Sequence, residues 1–411
     1  MAKDTQDFDL VIRHARLRDG RLLDIGIKDG KIAAMKEGIS GKTGEEIDAT
    51  GNLVTESFVN PHLHLCKVYT LRMMDELALQ DYHGEKMGRA MSAIELAARI
   101  KERYDESWIL PNVRKALELA VKYGNTHIRA FADVDTKAKL EGVKALLKAK
   151  EEFKGIVELQ VVAFAQDGIV REPGAEKLLK KAMELGADVV GGIPWIEYTV
   201  EDMQRHVKTI FDIAQTFDKD VSMLVDDAGD PTLKTLEMMA VEAIKRGWQG
   251  RVLAHHARAM ALYPDPYFLK LAALLKKARL PVVSDPHTGP LHARVKDLIR
   301  EGVLVCLGQD DITDAYYPYG RNNMLEVAFL ASHVLWMTSK REMEKLYDMV
   351  TTDAARAMGL KTHLLKEENP ANLVIVKGED VLEALRFHEE PLAVISHGKL
   401  VKEKPMVRHL S

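Results

Sequence analysis

The stretch Phe58–Lys67, FVNPHLHLCK, provides the first indication of the fold. A short apolar run ends in two histidines, His62 and His64, which are separated by one residue. Side chains at positions i and i+2 of a strand point to the same side, so both imidazoles could reach one metal ion. Two ordinary histidines alternating with apolar residues would give the same pattern, so the ends of the other predicted strands decide between the two interpretations.

Further apolar runs follow this one, and segments with helical periodicity separate them. Strands are predicted over 58–65, 126–134, 157–165, 188–193, 220–225, 251–256, 280–285 and 303–310. Helical patterns over 176–185 and 234–246 each stop at a glycine. Buried strands that alternate with helices predict an α/β fold, a (β/α)8 TIM barrel. A doubly wound open sheet is the alternative, but no G-x-G-x-x-G motif follows the first strand.

Both ends of the chain differ from this alternating middle, because they contain short β-type runs divided by glycine turns. They predict one small β domain built from both termini, comprising 1–57 and 366–411, beside a barrel over 58–365. The connection over 66–111 is long and includes an amphipathic stretch. We expect this insertion to shape or cover the barrel mouth.

The composition favours a small molecule over a nucleic acid or a membrane as the binding partner. The chain has 411 residues, 46% of them hydrophobic, and a net charge of -4. Its interspersed charges favour neither nucleic-acid binding nor a membrane surface, and no apolar run reaches membrane-spanning length. With only two cysteines, Cys66 and Cys306, a disulfide framework is not expected, which predicts a cytoplasmic protein.

Polar and ionisable residues follow the predicted strands, and in a TIM barrel the carboxyl ends of the strands meet at one mouth. Imidazole and carboxylate groups that converge there are the ligands a divalent metal needs. The residues at these ends are His62, His64, Gln166, Trp195, Glu197, Asp226, Asp227, His255, His256, Asp285, His287, Asp310 and Asp311. One member of each neighbouring pair, His255–His256 and Asp310–Asp311, could instead have a purely structural role.

Several longer segments resemble those of one known family. They are DIGIKDGKIAAM (24–35), LQVVAFAQDGI (159–169), GRVLAHHARAM (250–260), VCLGQDDITDAYYPYGRNNML (305–325) and NPANLVIV (369–376). The chain resembles the amidohydrolase superfamily and, within it, the bacterial cytosine deaminases and their s-triazine-processing relatives. The resemblance implies a metal-dependent barrel with a small β-sandwich domain formed from both termini. It also implies attack by metal-bound water on a ring or amide carbon, and commonly a homo-oligomer.

The resemblance also assigns roles to residues, with zinc or iron as the expected divalent metal ion. The expected metal ligands are His62, His64, His256 and Asp310, and the expected catalytic groups are Asp310, His256 and Asp227. Gln166, Asp311 and Tyr316 match residues that contact or adjoin the substrate ring. We also expect Trp195 and His287, at neighbouring strand ends, to contact the substrate.

The fifth predicted strand departs from the family pattern of a metal histidine followed three residues later by a glutamate proton shuttle. Leu224 stands where the histidine is expected, and Asp227 where the glutamate is expected. Cys66 likewise replaces the aspartate that usually follows the first-strand histidines. Three hypotheses therefore stay open: a hydrolase with altered specificity, a binding protein that has lost catalysis, and an enzyme that uses Cys66 as its nucleophile.

Overall fold

The structure, a computed structural model, describes residues 7–73, 80–81 and 84–403. Its strands are β1 Phe8–Arg16, β2 Leu22–Lys28, β3 Lys31–Lys36, β4 Thr43–Asp48, β5 Leu53–Glu56, β6 Phe58–Leu63, β7 Asn125–Asp133, β8 Glu158–Ala165, β9 Val189–Gly192, β10 Asp220–Val225, β11 Val252–His256, β12 Val282–Ser284, β13 Val305–Leu307, β14 Leu373–Val376, β15 Ala393–Ser396 and β16 Lys399–Glu403. Its α-helices are α1 Ala90–Ala98, α2 Glu106–Lys122, α3 Glu141–Glu152, α4 Ala175–Glu184, α5 Val200–Phe217, α6 Thr235–Lys245, α7 Asp265–Ala278, α8 Val295–Arg300, α9 Met324–Val334, α10 Lys340–Asp348, α11 Thr352–Ala357 and α12 Val381–Phe387.

Strands β6 to β13 form a parallel sheet in which each strand lies beside its neighbour in the chain. The first and last strands meet through a bridge between Leu63 and Asp310, so the sheet closes into a barrel. The Asp310 amide donates to the His62 carbonyl at 3.0 Å, and the His64 amide donates to the Asp310 carbonyl at 2.8 Å. The predicted TIM barrel is confirmed, and every predicted strand overlaps an observed one.

The closure brings β6 and β13 so close together that residue 308 has to be glycine. A Cβ atom on Gly308 would lie 2.5 Å from Asp285 Oδ1 and 2.7 Å from His62 Cβ. Such contacts are far shorter than van der Waals distances, so a larger residue would push apart the two strand ends that carry His62 and Asp310.

The chain termini form a second sheet, in the order β16-β15-β14-β5-β1-β2-β3, with β4 paired to β1. The C-terminal strands join the N-terminal ones through antiparallel pairing of β14 with β5. This separate sheet agrees with the expected small β domain, whereas the domain boundaries after 57 and before 366 stay a prediction. Among the described residues, no helix is both long and apolar enough to cross a membrane.

The insertion after β6 contributes α1 and the 3-10 helix Arg99–Arg103. Lys101, in that 3-10 helix, is buried and lies 2.6 Å from Asp167 Oδ1 and 3.0 Å from Asp135 Oδ2. These ion pairs tie the insertion to the ends of β7 and β8. Part of the predicted insertion, 74–79 and 82–83, lies outside the described residues.

Candidate metal centre and substrate cleft

The ends of β11 and β13 leave regular strand geometry where the functional side chains begin. His256 has φ +68°, Ala257 φ +50° and Asp310 φ +69°, all in the left-handed region that non-glycine residues rarely adopt. In an uninterrupted strand His255 and His256 would point to opposite faces. Here both rings lie beside the same residue, with centroids 4.5 Å and 4.9 Å from that of His62.

Four buried side chains, His62, His64, His256 and Asp310, each place one ligand atom within 4.8 Å of the others. Asp310 Oδ1 is central, at 3.1 Å from His62 Nε2, 3.8 Å from His256 Nε2 and 3.9 Å from His64 Nε2. His62 and His64 also bury Nδ1 atoms that have no hydrogen-bond partner among the described residues. Three imidazoles and one carboxylate are ligands that divalent metal ions accept, so these residues fit such an ion.

The charges around this group favour binding of a cation. Burial lowers the pKa of His64 well below its ordinary value, so its imidazole is neutral and has a lone pair to offer. Burial opposes ionisation of Asp310, but His256 and the hydrogen bond to His62 hold the pKa of that carboxyl well below its usual range. Burial also disfavours charge on His256, but the carboxylates of Asp227 and Asp310 raise the pKa of its imidazole to about 9. A metal ion would displace the proton of His256, because a ligand must present a free lone pair.

Arg258, two residues beyond His256, lies against the same group and was not expected from the sequence. Its Nε atom lies 2.7 Å from Asp227 Oδ1, and its Nη2 atom lies 3.3 Å from Asp310 Oδ2. Thr288 Oγ1 donates to the same Asp310 oxygen at 2.8 Å. One guanidinium therefore neutralises both carboxylates to which proton transfer was assigned, and Asp310 is left with Oδ1 facing the three imidazoles.

Replacement of Arg258 by methionine is expected to tighten zinc binding about three- to tenfold, because a positive charge beside the four candidate ligands opposes a divalent ion. Competition with a chromophoric chelator measures this affinity. Replacement of Arg294, which pairs with Asp265 and Asp297 away from these ligands, provides the control. Weaker zinc binding by Arg258→Met than by the wild type would show that Arg258 supports the ion rather than opposing it.

A small cavity adjoins the four-residue group, and much of its wall comes from residues singled out in the sequence. It is lined by His64, Ile94, Gln166, Ile193, Leu224, Asp227, His256, Asp310, Asp311 and Tyr316. Ile94 comes from α1, so the insertion closes part of the mouth. Trp195 and His287 are not among the lining residues: Trp195 lies in the turn Pro194–Ile196, and the His287 ring lies 5.4 Å from that of Tyr317. Their substrate contacts stay predictions.

The pKa values of the neighbours Asp310 and Asp311 are shifted in opposite directions. Burial and the charge of Asp310 raise the pKa of Asp311 well above its usual value, which favours the protonated form of its carboxyl. The pKa of its partner Asp314 is also raised, mainly by burial. The two neighbouring acids of the cavity wall therefore differ: Asp310 favours the charged form and Asp311 the neutral one.

Two other acids at strand ends stabilise the scaffold. Asp226 Oδ1 accepts hydrogen bonds from the Thr235 amide and hydroxyl, both at 2.7 Å, at the start of α6. Glu197 accepts from the backbone amides of Ile169 and Arg171 and pairs with His206 Nδ1 at 2.7 Å. Asp226 thus stabilises the start of a helix and Glu197 stabilises a loop, and neither residue lines the cavity.

Cys66 is not suited to act as the nucleophile. It is buried, it is not among the residues that line the cavity, and its Sγ accepts a hydrogen bond from the Asp133 amide at 3.3 Å. Burial, followed by the charge of Asp133, raises the pKa of the thiol to about 12. The thiolate is the reactive form of cysteine, so Cys66 is inert at neutral pH and has a packing role.

Comparison with known proteins places this geometry in a family. The profile of the amidohydrolase family matches residues 45–402, which is most of the chain. The chain belongs to the amidohydrolase family. It is 28% identical to the N-isopropylammelide isopropyl amidohydrolase of Pseudomonas sp. (strain ADP), over 98% of this chain and 99% of that protein.

Two solved structures are similar to this chain over nearly their whole length. The 5-methylcytosine deaminase of Klebsiella pneumoniae, liganded with 5-fluorocytosine, has a TM-score of 0.88 and 32% identity, with 98% of this chain and 99% of that one covered. The N-isopropylammelide isopropylaminohydrolase of Burkholderia multivorans has a TM-score of 0.83 and 26% identity, with 96% and 98% covered. The predicted family is confirmed, and the protein is a metal-dependent hydrolase of carbon–nitrogen bonds other than peptide bonds.

Proposed function

We propose that this protein hydrolyses an exocyclic carbon–nitrogen bond of a small nitrogen heterocycle, with zinc or iron held by His62, His64, His256 and Asp310. The observation that carries the proposal is the convergence of these four side chains beside a cavity that Gln166 and other polar residues line. A 5-methylcytosine deaminase and an N-isopropylammelide hydrolase among the similar proteins support pyrimidines and triazines as the substrate class.

A divalent ion at such a site supplies Lewis-acid chemistry and makes water a competent nucleophile at neutral pH. Asp310 Oδ1 lies among the three imidazoles, so it is the oxygen in position to take a proton from the attacking water. Asp227 lines the cavity and has its Oδ1 paired with Arg258, so its Oδ2 is the atom that would deliver a proton to the leaving nitrogen. Its side chain is one methylene shorter than glutamate, so the leaving group must lie close to it.

The substrate class can be tested with purified protein reconstituted with zinc or ferrous iron. Ammonia or amine release is measured for cytosine, 5-methylcytosine, isocytosine, creatinine, ammelide and N-isopropylammelide. Activity that is lost on dialysis against a chelator and restored by the metal supports the proposal. The lack of release from every compound by protein that holds one equivalent of metal would contradict it.

The alternative of a binding protein that has lost catalysis predicts a different result, and it rests on Leu224 and Arg258. Leu224 offers no lone pair on the cavity wall, and Arg258 neutralises both carboxylates assigned to proton transfer. Such a protein would bind a heterocycle with unchanged affinity after metal removal. Calorimetric titration of the metal-free and metal-loaded forms with uracil distinguishes the two candidates.

We further propose that the protein acts in the cytoplasm as a homo-oligomer. The near absence of cysteine supports the first part, and the similarity to a family whose members commonly assemble supports the second. Light scattering coupled to size-exclusion chromatography would give the mass in solution. A mass of 46.1 kDa, that of one chain, would contradict the assembly.

A further inference from the structure

Lys67 is a buried cation three residues beyond His64, one of the candidate metal ligands, and it contacts two residues of the cavity wall. Its Nζ atom donates to Gln166 Oε1 at 2.7 Å and lies 3.3 Å from Asp133 Oδ1. The same ammonium lies 5.2 Å from the centre of the Tyr316 ring. Gln166 and Tyr316 both line the cavity, so Lys67 connects two parts of its wall from behind.

The contact with Lys67 determines which end of the Gln166 amide faces the cavity. An ammonium group has three donors and no acceptor, so only the carbonyl oxygen of the amide can lie 2.7 Å from it. The NH2 end of Gln166 must then point elsewhere. Gln166 lines the cavity, so with its carbonyl oxygen turned to Lys67 the NH2 group is placed to donate to a ligand there.

The position of Lys67 is itself fixed, because its partner Asp133 is held from a second direction. Tyr104 donates its hydroxyl to Asp133 Oδ2 at 3.0 Å, while Oδ1 faces the ammonium. All three side chains are buried, with at most 8% exposed. An amide flip at Gln166 would bring two donors together in a buried site and leave an ammonium hydrogen unpaired, which is costly.

We propose that Lys67 is a positioning residue that locks the Gln166 amide with its NH2 group toward the substrate. The site then selects heterocycles that present a hydrogen-bond acceptor, a ring carbonyl or an unprotonated ring nitrogen, at this edge. It discriminates against heterocycles that present N–H there, because two donors would face each other. This inference rests on the proposed function, since it specifies the substrate class of the same site.

Two matched pairs of ligands test the selection on metal-loaded protein by calorimetry. Uracil is compared with 4-pyrimidinone, and cyanuric acid with 5-azauracil, so that each pair removes one ring carbonyl and no member carries an amino group that the enzyme could hydrolyse. The wild type is expected to prefer the carbonyl member of a pair by about tenfold or more, as a site built for one hydrogen-bonding pattern does. Equal affinities within both pairs would overturn the inference, whereas failure of all four ligands to bind would overturn the heterocycle class of the proposed function.

Variants of both residues test whether Lys67 is responsible. In Lys67→Met the amide is free to turn, so the preference is expected to fall toward unity. In Gln166→Glu, which keeps an acceptor for Lys67 but presents a second acceptor to the ligand, the preference is expected to reverse. This second variant preserves the buried charge pair and remains informative if Lys67→Met does not fold.

Lys101 provides the matched control, because it is also a buried lysine paired with two carboxylates. It contacts Asp135 and Asp167 and does not contact Gln166. Lys101→Met is expected to lower the melting temperature while leaving the ligand preference at its wild-type value. A preference that is unchanged in Lys67→Met, or that falls equally in Lys101→Met, would reduce Lys67 to a purely structural role.

Discussion

Replacing Asp310 by asparagine is expected to weaken zinc binding by roughly a hundredfold or more. This is the upper end of the losses in affinity that follow mutation of residues around a bound metal. Asp310 is ionised, and its Oδ1 atom lies among the three imidazoles. Asparagine keeps the size of the side chain but removes its negative charge and its ability to take a proton. We therefore expect the loss of activity to persist when zinc is added in excess.

Asp311→Asn is the matched control, because it makes the same chemical change one residue away. The pKa of Asp311 is raised well above its usual value, mainly by burial, so asparagine removes less negative charge here than at position 310. Its zinc affinity is expected to stay within about twofold of wild type, since no ligand charge is lost. Chelator competition on both variants measures the difference. Equal losses at the two positions would show that both carboxylates are ionised and that the assignment of their roles is wrong.

The barrel and the four converging residues could be predicted because they depend on features that are local in sequence. Apolar runs separated by helical patterns predicted the strands. In a barrel of parallel strands, the carboxyl ends meet at one mouth regardless of the details of packing. His62, His64 and Asp310 meet for this reason. Asp226 did not behave as strand periodicity predicts: its φ of +48° ends the alternation, and its carboxylate binds the start of α6.

Arg258 and Lys67 were missed because buried cations are rare and depend on partners that are distant in the chain. Asp227 and Asp310 follow β10 and β13, whereas Asp133 is the last residue of β7 and Gln166 follows β8. A basic residue two or three positions after a strand-end histidine was the available signal, but on its own it predicts a solvent-exposed side chain. Only the closed barrel shows that these two cations are buried beside carboxylates and, for Lys67, beside the Gln166 amide.

Leu224→His addresses the residue by which the cavity differs most from the family pattern. Leu224 lies near the end of β10, is 3% exposed and lines the cavity beside His256 and Asp310. An imidazole there would add a neutral nitrogen donor to a group that already has three imidazoles and one carboxylate. Zinc binding is expected to tighten on the order of tenfold or more, the scale of changes in a metal's ligand environment.

Leu224→Met is the control for this experiment, because it preserves the volume of the side chain and adds only a soft sulfur that zinc binds weakly. Its zinc affinity is expected to stay close to wild type in the same chelator competition. The Leu224→His variant is then combined with Arg258→Met. If the two substitutions act on one ion, their free-energy changes will deviate from additivity, as they do for residues that share a site.

Equal zinc affinity in wild type and Leu224→His would place the missing ligand elsewhere. Another group of the cavity wall, or the substrate, would then supply the donor that the strand-five histidine supplies in the family pattern. Hydrolytic zinc sites keep one coordination position for water or substrate.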